Sequence, residues 1–256
     1  MANFKSLLLT LLVGLFFLIG IMIPKFMKKK KELTLFATGL SFAVMLGMIL
    51  FDIIPEIGEL LVYYPNAQKW GIICGCTALG MLLLKGLDYL IPHHHHNHHE
   101  KEKNRQEHDA HLFHIGLVTS ISLMLHNLME GISIYVTGVT NFKIGLTMAL
   151  AVALHNIPLG MEIAVGLEAN QNQNKLKWIT IMLLTLSSLI GSSMLFLFQI
   201  NMSITVEACL LCTTFGMLIY ITLLELLKEI YTYRRDQWTY IGLVVGVILN
   251  IIMVMV

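Results

Sequence analysis

Eight apolar runs follow one another along the chain, and most are long enough to cross a bilayer. They cover about residues 6–24, 35–62, 70–92, 113–137, 142–168, 177–200, 204–230 and 238–256. Crossing the hydrocarbon core takes about 20 mostly apolar residues in a helix. At that length only helices satisfy their backbone polar groups within the segment. A membrane barrel needs short strands of alternating polarity, and the sequence has none. The expected fold is therefore all-α, a polytopic membrane bundle of eight transmembrane helices forming one transmembrane domain over residues 1–256. Composition agrees: 13% of residues are charged, against about 25% in soluble domains. The first run, Leu7 to Ile23, ends in Pro24 and lysines without a small-x-small cleavage site, so it reads as a span and not as a cleaved signal.

The basic residues fix an expected orientation. Lys25, Lys28 to Lys31, Lys101, Lys103, Arg105, Lys175, Lys177, Lys228, Arg234 and Arg235 fall on one side of an eight-span chain, thirteen in all. Lys5, Lys69 and Lys143 fall on the other. The positive-inside bias puts the first set in the cytoplasm and both termini outside it. The compact size and lack of a cleaved leader point to a multi-pass protein of a bacterial plasma membrane. No basic face with interleaved aromatics occurs outside the lysine cluster, so no nucleic-acid partner is expected. Cys74, Cys76, Cys209 and Cys212 all lie in apolar runs and read as packing residues, although the last two have Cys-x-x-Cys spacing.

The eleven histidines fall into two groups. Nine lie between residues 93 and 114, and they include His93, His94, His95, His96, His98 and His99. Such a tract binds Zn²⁺ and similar ions without fixed geometry. It is expected to be a flexible cytoplasmic loop over 93–112. The other two, His126 and His155, sit inside apolar runs, in the stretches Leu-His-Asn-Leu-Met-Glu-Gly and Leu-His-Asn-Ile-Pro-Leu-Gly. An ionisable side chain within a span is expensive and is a functional-site hypothesis by default.

His126 and Glu130 are i and i+4 and share a helix face. Imidazole nitrogen with carboxylate oxygen is an ordinary ligand set for Zn²⁺. His155 with Asn156 repeats the His126–Asn127 pair, and Pro158 frees the Leu154 carbonyl. The competing reading is hydrogen bonding between helices. Two such pairs, a carboxylate one turn from the first and a proline beside the second favour a metal site made of His126, Glu130, His155, Asn127 and Asn156. Asp52, Glu56, Met48 and Glu162 are candidate pathway residues. Glu162 returns to the face of His155 two turns on.

The two motifs resemble the fourth and fifth spans of the ZIP (Zrt- and Irt-like protein) metal transporters, which carry His-Asn-x-x-Glu-Gly and commonly His-Asn-x-Pro-Glu-Gly. Phe51-Asp52-Ile53-Ile54-Pro55-Glu56 in span two and Glu225 late in span seven add to the likeness. The resemblance implies uptake of a divalent transition metal into the cytoplasm. Zn²⁺ comes first, with Fe²⁺, Mn²⁺ and Cd²⁺ as alternatives. It also implies alternating access, often by an elevator movement of one helix group, with His126, Glu130 and His155 as ligands, and pairing into homodimers. The sequence departs from the pattern at Leu159, where the fifth-span glutamate is expected, and at Gly191, which replaces a sixth-span glutamate. Both departures imply one metal site and not a two-metal centre.

A different class is a membrane-embedded metal-dependent hydrolase with an open zinc position. Against it, the sequence has no His-Glu-x-x-His motif, and no enzyme activity is expected. A metal sensor that binds without transporting is the third reading.

Overall fold

The computed structural model describes residues 2–26, 30–90, 100–168, 174–198 and 203–255. Among them, all regular structure is helical: α1 (Ala2–Phe26), α2 (Lys30–Met48), α3 (Ile54–Leu60), α4 (Asn66–Leu90), α5 (Glu100–Thr140), α6 (Phe142–Glu168), α7 (Asn174–Phe198), α8 (Ile204–Ile219), α9 (Leu227–Thr232) and α10 (Gln237–Met255). Wide π-helical turns at Ile49–Ile53 and Tyr220–Leu226 join α2 to α3 and α8 to α9, so each pair acts as one span. Seven helices or joined pairs are long and apolar enough to cross a membrane, and α10 supplies a shorter apolar helix. The chain is a multi-pass helix bundle, as its apolar runs predict.

Two details differ from the sequence reading. First, α5 starts at Glu100, so residues 100–112, expected as loop, are helical backbone continuous with the fourth span. His93 to His99 lie outside the described residues. Second, Pro158 does not break the fifth span, because α6 runs through it from Phe142 to Glu168. The break falls in the second span instead. Pro55 has no N–H to offer the carbonyl one turn back and crowds that turn. The helix widens just before it, and the Ile54 N–H reaches back to the Ile49 carbonyl. Such single-turn widenings often mark functional sites. This one carries Asp52.

Glycines divide the bundle into two interlocked groups. A Cβ on Gly131 would lie 2.0 Å from the Ser188 carbonyl oxygen, and one on Gly14 would lie 1.9 Å from that of Thr185. Gly160 similarly meets Phe17, so α1, α5, α6 and α7 are in backbone contact. In the second group, Gly39 and Gly242 seat α2 against α10, and Gly80 and Gly216 seat α4 against α8. The Thr222 hydroxyl, donating to Met45 Sδ at 3.8 Å, ties α2 to the span of α8 and α9. Among the described residues, no glycine with a neighbour in contact range joins one group to the other. Small residues let membrane helices approach closely. Between the groups the packing is instead side chain on side chain, including Met48 and Ile53 from one and Leu123, Leu159 and Ile163 from the other.

A direct consequence is that Gly131→Val forces α5 off α7. Overpacking a site backed by rigid backbone costs roughly 3 kcal/mol. The variant is expected to melt well below wild type in detergent. Unchanged thermal unfolding would show that the helix pair is not held by backbone contact.

Candidate metal site

The turn between α5 and α6 sets the depth of the two intramembrane histidines. Only Asn141 separates the helices. Its side-chain oxygen accepts from the N–H groups of Lys143 at 3.1 Å and Ile144 at 3.4 Å and so caps α6. Gly138 and Gly145 let the helices cross closely beside the turn. Counted from Asn141, His126 lies 15 residues back and His155 lies 14 residues on. At about 1.5 Å per residue both rings sit at nearly the same depth. The ring centroids are 6.2 Å apart.

Glu130 completes the group. Its Oε1 lies 3.0 Å from His126 Nε2 and 3.2 Å from His155 Nε2. One ligand atom from each of the three residues lies within 4.8 Å of the others. The histidines are 3% and 4% exposed, so neither is solvated. Although close, neither Nε2 is in hydrogen-bond geometry, and His126 Nδ1 and Glu130 Oε2 are also without a partner. Buried polar groups are normally satisfied. Tetrahedral zinc at about 2.0–2.1 Å from its ligands spaces them about 3.3 Å apart. The two carboxylate-to-imidazole distances match that edge. The three side chains converge on a point that a divalent cation can occupy.

The site lies at the base of a cavity of about 150 Å³. From His126 and His155 its lining climbs through Glu130 and Ser133 on α5 and through Val152 and Met148 on α6. Both sequences run toward the α5–α6 turn, so the cavity lies on that side of the histidines. Asp52 and Glu56 line it from the second span, brought there by the π turn and α3. Toward the opposite end, where the chain enters α5 and leaves α6, the next turns carry Leu123 and Leu159. Both are 0% exposed and part of the apolar core. The cation point is therefore flanked by the cavity toward the α5–α6 turn and by apolar core toward the opposite end.

Five of the residues singled out from the sequence thus meet here: His126, Glu130, His155, Asp52 and Glu56. Four do not line the cavity. Asn156 is fully buried and its amide donates to the Val13 carbonyl at 3.2 Å, tying α6 to α1. Asn127 is fully buried beside His126, with both amide atoms unpartnered. Met48 is packed in the apolar core, 1% exposed. Glu162 lies on the sealed side, buried near Thr38. The methionines that do line the cavity are Met129, Met148 and Met253. Met129 was legible from its place between His126 and Glu130. Met253 and Leu211 come from distant spans, and no local pattern marks them.

Comparison with known proteins places the whole chain beside one family. Residues 88–254 match the family described as ZIP zinc transporter. The zinc transporter ZupT of Chlorobium limicola is 31% identical over 259 residues, covering 96% of each chain. The ZupT proteins of Akkermansia muciniphila and Streptococcus mutans are 29% and 26% identical over 258 and 254 residues, covering at least 93% of each chain compared. The likeness runs from the first span to the last and includes the helix pair that carries the convergent histidines, so this chain belongs to the ZIP family.

Proposed function

We propose that the protein moves a divalent transition metal, zinc first, into the cytoplasm, loading one ion at a time on His126, Glu130 and His155. One observation carries this reading: three ligand atoms converge, buried, in the wall of a cavity that extends to one side of them. The relatives are named as zinc transporters, which sets aside the hydrolase reading. The positive-inside bias supports reading that side of the cavity as extracytoplasmic, the side from which an imported ion would load. Asn156 serves the site by tying its helix to α1, Asn127 lies unpartnered beside His126, and the histidine-rich tract 93–99 receives ions on the cytoplasmic side.

Charge bears on Asp52. Glu130 alone half-neutralises a dication, and an uncompensated charge in a low-dielectric setting is costly. Asp52 lines the same cavity and supplies the second negative charge. Glu56 draws cations toward it. Alternating access follows from the two helix groups. All three ligands ride on α5 and α6, within the group interlocked by Gly14, Gly131 and Gly160. The boundary with the other group has no glycine-mediated backbone contacts; it is mostly apolar side chains, with the Ser41 hydroxyl on the Pro158 carbonyl as a polar contact that sliding has to exchange. Movement of the ligand-bearing group along it carries the ion past the seal.

The test is uptake of radioactive zinc into proteoliposomes by wild type, His126→Ala and Glu130→Ala. Uptake in wild type and its loss in both variants is expected. No uptake by wild type, with zinc still bound, favours the sensor reading. Zinc affinity is also expected to fall on acidification, because the ligating imidazoles must be neutral. Affinity that stays flat to about pH 5 would exclude histidine ligation.

A further inference from the structure

The sealed half of the bundle holds a carboxylate that the loading site does not use. Glu162 is 7% exposed, and its Oε2 is buried without a hydrogen-bond partner. It lies seven residues past His155, about 10 Å along α6 toward the sealed end. None of the ion pairs among the described residues reaches it. Thr38 of α2 lies within reach of the carboxylate, and the charge of the half-buried Glu229 of α9 acts on it. One turn along α2, the Ser41 hydroxyl donates to the Pro158 carbonyl at 3.2 Å. A buried carboxylate must be paired, bind a metal or take up a proton. The donors here are all oxygen, a harder set than the two imidazoles of the loading site.

We propose that Glu162, with Thr38 and Glu229, is a second cation station, which takes the divalent ion from the His126–Glu130–His155 site and passes it to the cytoplasm. The station straddles the two helix groups. Glu162 rides on α6 with the loading site, and Thr38 and Glu229 belong to the other group. On α6 the side chains between His155 and Glu162 include fully buried Leu159 and no carboxylate, so Glu162 is the first negative charge that α6 offers an ion leaving the loading site. Movement of one group against the other makes and breaks the contact of Glu162 with Thr38. That suits a site that must release its ion.

This inference rests on the transporter reading, and the experiment separates the two. Zinc uptake by wild type in proteoliposomes tests transport itself, and its absence overturns that reading. Given transport, Glu162→Gln is expected to lower the maximal rate about tenfold with KM nearly unchanged, because loading is untouched while the negative charge beyond it is gone. Glu162→Cys is expected to raise the ratio of cadmium to zinc uptake, because a thiolate favours the softer ion. A structural carboxylate or a proton carrier would leave that ratio alone. Wild-type rate in Glu162→Gln, or an unchanged ratio in Glu162→Cys, overturns the station. If either Glu162 variant fails to assemble, Thr38→Cys makes the same ratio test from the opposite helix group.

Discussion

Glu130→Ala is expected to lower zinc uptake by about 100-fold or more, the largest effect of any single substitution. The carboxylate is the one group in contact with both histidines, at 3.0 and 3.2 Å. Without it the ion meets two neutral imidazoles, and the remaining carboxylates, Asp52 and Glu56, line the cavity from the second span. Removal of one partner of a buried charged group costs about 3–5 kcal/mol. His155→Ala removes a neutral donor that water in the cavity can replace, so its loss is expected to be smaller, about tenfold in affinity. Initial uptake rates in proteoliposomes check the order. Equal losses in both variants would mean that neutralisation by Glu130 is not what holds the ion.

Leu159→Glu carries the second large effect. Leu159 is 0% exposed and packed in the core one turn beyond His155. A carboxylate there without a partner costs several kcal/mol, of the order that a buried unpaired charge demands. Zinc changes the sign of that penalty. With a second ion bound on the introduced carboxylate, the variant regains stability by mass action. The expected result is a variant that melts below wild type without metal, approaches it in zinc and binds a second ion per chain. Zinc titration followed by both thermal unfolding and bound-metal counting reads this out. A melting temperature indifferent to zinc, with stoichiometry unchanged, would show that position 159 cannot reach the ion.

The contrast between Pro55 and Pro158 shows where the sequence was legible. Spanning length sets the bundle, because a bilayer admits little else. The His126–Glu130 pair was legible because i and i+4 must share a face. Its meeting with His155 follows from a hairpin whose turn, at Asn141, is nearly equidistant from both rings. A proline's effect depends on what surrounds it. Around Pro158 the helix stays regular, held by α1 against Gly160 and by Asn156 bonded to Val13. Before Pro55 the helix widens into a π turn and carries Asp52 to the cavity. Helix-face arithmetic places Glu162 with His155, yet its carboxylate meets Thr38 on α2 and the cavity ends above it. Which neighbour a face meets is decided by glycine contacts between remote spans. Met48 and Met253 illustrate the same point, the first packed in the core and the second in the cavity wall.

Anomalous scattering at the zinc edge, from crystals of the full chain grown with zinc, tests the central claim most directly. One zinc peak within the bundle is predicted beside α5 and α6, about 2.0–2.2 Å from Nε2 of His126, Nε2 of His155 and an oxygen of Glu130. Crystals with zinc bound elsewhere and none between those three side chains, or with two ions sharing Glu130, would contradict it.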